Sequence, residues 1–126
     1  MPKTRILCSL VALLIGAPLH ADHIKVFLLG GQSNMQGNNA LLNQLPPALQ
    51  PPQDDVLLYS GTNSAAFFGS LQVGAGNNFG PEISFGRTIA DGRPYDRFCL
   101  IKFAQGATSL HTSWDPATGT VYAEFR

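Results

Sequence analysis

The stretch Ile24-Lys25-Val26-Phe27-Leu28-Leu29 (IKVFLL), followed at once by Gly30 and Gly31, decides how this chain folds. Apart from Lys25 the run is continuously apolar and glycine bounds it, the pattern of a strand buried on both faces of a parallel sheet. Phe98 to Ala104 (FCLIKFA) has the same character and stops before Gln105-Gly106, so it predicts a second buried strand. Between them Pro81 to Asp91 reads as a helix: Gly80 suits the N-cap and Pro81 the first helical position. Glu82 favours the positive end of the helix dipole, and Gly92 marks the stop. Strand, helix and strand predict a right-handed βαβ crossover and hence an α/β fold. Residues 38–79 read as a long surface insertion, with Pro46-Pro47, Pro51-Pro52, a peripheral strand at Val56 to Tyr59 and a Gly/Asn-rich segment. From His111 onward the residues predict a loop leading into a helix.

With 126 residues the chain holds at most one ordinary domain. It is 44% apolar, 10% aromatic and only 13% charged, which supplies a packed core and argues against disorder. Eight basic residues balance eight acidic ones with no basic run, so nucleic acid is excluded as a partner. Lys3 and Arg5 precede an apolar run from Ile6 to Gly16, and small residues follow at Ala17 to Ala21. That is the layout of a secretory signal over residues 1–21, whose apolar run is too short to span a bilayer, and it predicts a secreted or periplasmic protein of residues 22–126. Past the signal, Cys99 has no cysteine partner, and His23 and His111 stand far apart without ligands at metal-binding spacing, so neither a disulfide nor a metal is expected. Two buried parallel strands and one helix leave apolar faces uncovered, since a sheet of this class usually has about five strands. Either partners cover them or these residues are the N-terminal part of a larger domain.

Chemistry concentrates directly after the first strand, in Gly30-Gly31-Gln32-Ser33-Asn34-Met35-Gln36-Gly37 (GGQSNMQG). Ligands of open α/β sheets bind outside the carboxyl ends of the strands, where Ser33 stands. Both nucleotide fingerprints fail, because no Lys-Ser/Thr ending and no G-x-G-x-x-G are present. The G-x-S-x-G elbow fails as well, since Met35 occupies its second glycine position. A serine here has an exposed hydroxyl, and glycine lets backbone amides approach a reacting carbonyl; the alternative is that Ser33 and Asn34 only end the strand.

GGQSNMQG resembles the first block of the SGNH-hydrolase superfamily, in its branch of sialate O-acetylesterase-like and acetyl xylan esterase-like carbohydrate esterases. The stretches FGPEISFGR (Phe79 to Arg87), LIKFAQGATSL (Leu100 to Leu110) and Trp114 to Tyr122 agree in order and spacing. The resemblance implies a three-layer α/β/α flavodoxin-like fold, incomplete at the C-terminus, and a secreted serine esterase that releases acetate from acetylated carbohydrate without a cofactor. It assigns the nucleophile and one oxyanion-hole amide to Ser33 and a second amide to Gly106. Ala107 stands where the family pattern has a further glycine. The family's D-x-x-H block, which supplies the base and its carboxylate, and its W-x-Q-G-E-x-D block are not among these residues. Gln32, Asn34, Gln105, Thr108 and Trp114 are candidate substrate contacts. Trp114 and Tyr122 also suit packing, Thr108 and Ser109 suit helix capping, and Asn77 and Asn78 suit either sugar hydroxyls or a turn. Glu82 reads as a first-turn helix residue, and His111 as a rim residue rather than a base. Two further functions stay open: a carbohydrate-binding protein without catalysis, and an esterase of the same superfamily acting on a lipid or other acyl ester.

Overall fold

The computed structural model describes residues 23–62 and 65–126; the expected export signal lies outside them. Four strands form one mixed sheet: β1 (Ile24–Gly31), β2 (Gln53–Thr62), β3 (Ala65–Leu71) and β4 (Arg97–Ala104), in the order β1-β4-β2-β3. Three α-helices accompany them, α1 (Ser33–Gln36), α2 (Glu82–Gly92) and α3 (Thr120–Phe125). β1 runs parallel to β4 from Ile24↔Arg97 to Gly31↔Ala104, as the two apolar runs predict. β2 runs parallel to β4 on the other side, from Val56↔Phe98 to Gly61↔Phe103, and β3 returns antiparallel along β2.

Residues 38–79 are not a surface insertion throughout, since they carry two strands of the sheet. Val56 to Tyr59 belongs to a longer strand that is not peripheral: β2 lies between β4 and β3, with Val56 and Leu58 buried. β3, within the stretch expected to be a Gly/Asn-rich excursion, makes a hairpin with β2. The second apolar run is therefore an interior strand with neighbours on both sides, and the edges of the described sheet are β1 and β3.

Side chains alternate across a strand, and in β4 Phe98, Leu100, Lys102 and Ala104 are buried while the residues between them are half-buried. Leu100 and Phe98 meet Val56, Leu58, Leu71 and Ile83 in the core, with Phe27 and Leu29 packed against it. Helix α2 covers this face closely enough that a Cβ on Gly86 would lie 2.2 Å from Leu71 Cδ2. The opposite face is only partly covered by the described residues, so the expectation of burial on both sides fails for β1: Ile24, Val26 and Leu28 are exposed. Cys99, half-buried, has its thiol pushed up by burial, which keeps it protonated and a poor nucleophile.

Arg87 pins α2 to the start of β2 through a two-pronged contact with Asp55, at 3.0 and 2.6 Å, and also reaches Asp91 at 2.9 Å. The hydrogen bonds from Arg87 hold the Asp55 carboxyl below its usual range. A carboxylate whose pKa falls on folding contributes stability above its unfolded pKa of about 3.9, and loses it as the pH drops through the lower folded value. Thermal midpoints measured from pH 5 to pH 2.5 should therefore fall on the acid side, and less steeply in Asp55→Asn. Equal slopes in the two proteins would show that the contact contributes nothing.

Candidate active site

β1 and β4 end side by side, and the turns leaving their carboxyl ends build the site. After Gly31, Gln32 stands at the N-cap position of α1 without a side-chain capping bond, Ser33 opens the helix, and Gly37 closes it in the left-handed region with φ 90° and its N–H on Ser33 O at 2.9 Å. Any residue but glycine would fail at position 37: a Cβ there would sit 2.3 Å from the carbonyl carbon of Phe79. The Ser33 turn is thereby wedged against the segment leading to α2.

After Ala104 the chain turns through Gln105, Gly106 and Ala107. Gln105 N–H donates to Gly31 O at 3.1 Å, which ties this turn to the end of β1. Ala107 has φ 58°, the left-handed conformation that the family's glycine would take without strain. That conformation costs an alanine about 1–2 kcal/mol, against glycine's extra unfolded-chain entropy of about 0.5–1 kcal/mol. Ala107→Gly should thus raise stability by roughly 0.5–1 kcal/mol in urea denaturation, and a loss would show that the turn is held differently.

Ser33 and Gly106 come together here, since a Cβ placed on Gly106 would stand 3.8 Å from Cβ of Ser33. Ser33 is half-buried, whereas Gln32, Asn34 and Gln105 are exposed around it. The Gly106 N–H donates to Oε1 of Gln36 at 2.9 Å, and the same oxygen accepts from Asn38 Nδ2 at 3.2 Å. Thr108 donates its hydroxyl to Gln105 O at 2.7 Å and accepts from Trp114 Nε1 at 3.2 Å, so both brace the Gly106 turn. Trp114 also packs on Phe103 and Phe125 beside Gly30.

Beneath the turn lies a pair that sequence reasoning missed. Lys102 Nζ stands 2.8 Å from Glu82 Oε2, both side chains almost wholly buried, while Glu82 Oε1 accepts the Gly80 N–H at 3.0 Å. Lys102 also reaches Gln36 O at 3.4 Å. Glu82 lies in the first turn of α2, as its place after Gly-Pro predicts, although Pro81 is the N-cap and the helix starts one residue later than expected. The signal for its partner was strand parity, since Lys102 shares the inward face of Phe98 and Leu100 and a buried ammonium requires a counter-charge. The ion pair floors a cavity of about 630 Å³ between β2, β3 and residues 72–78, with Gln36 and Asn38 in its wall.

His23 precedes β1 at the far end of the strand, and His111 is exposed in the loop after β4. The carboxylate nearest to His111 in sequence, Asp115, is committed to the N–H groups of Ala117 and Thr118, both at 2.8 Å, and these hydrogen bonds hold it below its usual range. Among the described residues no cluster of three or more His, Cys, Asp or Glu could hold a metal ion, and no helix is long and apolar enough to cross a membrane.

A serine and a glycine amide at the ends of adjacent parallel strands suit acyl transfer. A solved X-ray structure of a protein from Arabidopsis thaliana is similar with a TM-score of 0.60 over 79% of this chain, at 18% identity. That likeness concerns the fold, and the chain spans only 48% of the Arabidopsis protein. No curated protein matches. The family described as "carbohydrate esterase, sialic acid-specific acetylesterase" matches residues 23–125, which take in the Ser33 turn, the Glu82 helix and the Gly106 turn together. With nearly every described residue inside that match, the chain belongs to the sialic acid-specific acetylesterase family of carbohydrate esterases.

Proposed function

We propose that this protein provides the nucleophile and two oxyanion-hole amides of a secreted serine esterase that removes O-acetyl groups from sugars, on a three-layer SGNH-type scaffold. The observation that carries the reading is the meeting of Ser33 with Gly106 at the ends of β1 and β4. Ser33 Oγ attacks the acetyl carbonyl and loses its proton to a base, and the carbonyl oxygen takes the negative charge beside the amides of Ser33 and Gly106. Collapse expels the sugar alkoxide, which takes up the proton, and water then releases acetate from the acyl-serine. Base and orienting carboxylate come from a D-x-x-H block in the complete enzyme, consistent with the exposed histidines and the committed Asp115 here.

The test uses exported, full-length protein carrying that block, whose N-terminus should read near Asp22 if residues 1–21 are a signal. An organophosphonate should label Ser33, and Ser33→Ala should abolish both labelling and acetate release, a loss of several orders of magnitude. Labelling at Ser60 or Ser109 would refute the assignment. Sugar binding with no adduct and no acetate would establish the carbohydrate-binding alternative.

A further inference from the structure

The Gly106 amide, needed for an oxyanion in the reading above, is not open to one in the arrangement seen here. It donates to Gln36 Oε1 at 2.9 Å. An ester carbonyl can accept that hydrogen bond only if Gln36 withdraws, and the Gln36 oxygen, which then keeps at most the 3.2 Å bond from Asn38, loses the shorter of its two donors unless another replaces it.

The replacement donor has a place to come from. Gln36 and Asn38 both form part of the wall of the 630 Å³ cavity, together with Ser60, Gln72, Asn77 and Asn78. These side chains each donate and accept hydrogen bonds, which matches the vicinal hydroxyls of a pyranose ring. Lys102 and Glu82 at the floor neutralise one another, so the cavity presents no net charge to its occupant. The rim is fixed: Leu42 N–H donates to Asn77 O at 2.8 Å, Phe79 N–H to Ala40 O at 3.1 Å, and Gly74 N–H to Asn78 O at 2.9 Å. Among the described residues the hydrogen bonds on the Gln36 side chain are both at its tip, from Gly106 and Asn38, so moving that tip is what opens the amide.

We propose that Gln36 is a specificity-determining residue that caps the Gly106 amide and releases it when a sugar hydroxyl in the adjoining cavity takes its carbonyl oxygen. The hydrogen-bond count then closes: the ligand O–H donates to Gln36 Oε1, and the Gly106 N–H turns to the ester oxygen. Esters without such hydroxyls meet only one amide, and a missing oxyanion donor costs about 10²–10³ in rate. The proposal rests on Gly106 being an oxyanion donor.

Amide hydrogen exchange of the full chain reads the switch without turnover. Methyl β-xylopyranoside and the methyl glycoside of sialic acid, titrated separately, distinguish which kind of sugar the cavity accepts. The effective one should shift the side-chain amide resonances of Asn77 and Asn78 and speed exchange at Gly106 about tenfold or more. Gln36→Ala should give the fast rate without sugar and no further response. Gln36→Met, close to the native volume, serves if the alanine variant does not keep the native β4 resonances. Gly106 exchange unmoved by either variant, or cavity shifts without a change at Gly106, would overturn the switch. Failure of Ser33 to form its adduct in the complete enzyme would instead sink the esterase reading, which the exchange result does not touch.

Discussion

Lys102→Met should cost about 3–5 kcal/mol of folding stability, because it strands the Glu82 carboxylate in a place water does not reach. Methionine fills similar space, so the loss reports charge rather than a hole. Adding Glu82→Gln to the same chain should restore much of it, since glutamine still accepts the Gly80 N–H while no longer carrying a charge. Urea denaturation of the two single variants and the double variant gives the coupling directly. A cost below about 1 kcal/mol for Lys102→Met would mean that the pair behaves as a surface contact. Because Lys102 also reaches Gln36 O, the single variant should loosen the Ser33 turn, visible as faster amide exchange at Gly37.

Gly37→Ala should be comparably damaging, by a different route. The added methyl meets the backbone of Phe79, 2.3 Å from its carbonyl carbon and 2.4 Å from its oxygen, and neither atom can rotate away. Positive φ adds to the overlap, and together they should cost about 3 kcal/mol or more. Either the turn shifts or the Phe79–Gly80 segment does. In both cases Ser33 moves relative to Gly106, and phosphonate labelling of Ser33 should fall further than folding stability alone explains. Labelling and stability both at the native level would show that position 37 is roomier than described.

How much of this was legible in the sequence depended on how local each feature is. β1, β4 and α2 declare themselves within one stretch each, through apolar runs bounded by glycine and a Gly-Pro-Glu helix start. β2 was half legible: Val56 to Tyr59 is apolar, but Gln53-Asp54-Asp55 before it looks like loop, and only pairing with β4 puts it inside the sheet. β3 (AAFFGSL) is rich in small residues of weak strand preference, and it is a strand because β2 offers it an edge. At the site, Ser33 and Gly106 were found by resemblance, and the pairing of β1 with β4 is what brings them together. Gln36 was not found, because its role is a contact with a residue 70 positions away. The Glu82–Lys102 pair spans two elements read separately, so neither stretch alone revealed it.

Trp114 gives the protein a built-in optical probe. It is the only tryptophan, so intrinsic fluorescence excited at its absorption edge comes from one known place. Its indole N–H is tied to Thr108, Thr108 to Gln105 O, and the Gln105 N–H to Gly31 O, two residues before Ser33. A rearrangement of the Gly106 turn must therefore lengthen or break a bond in a chain that ends on the indole, changing the polarity around it and the wavelength of its emission. Stopped-flow fluorescence can follow this loop in real time without any added label.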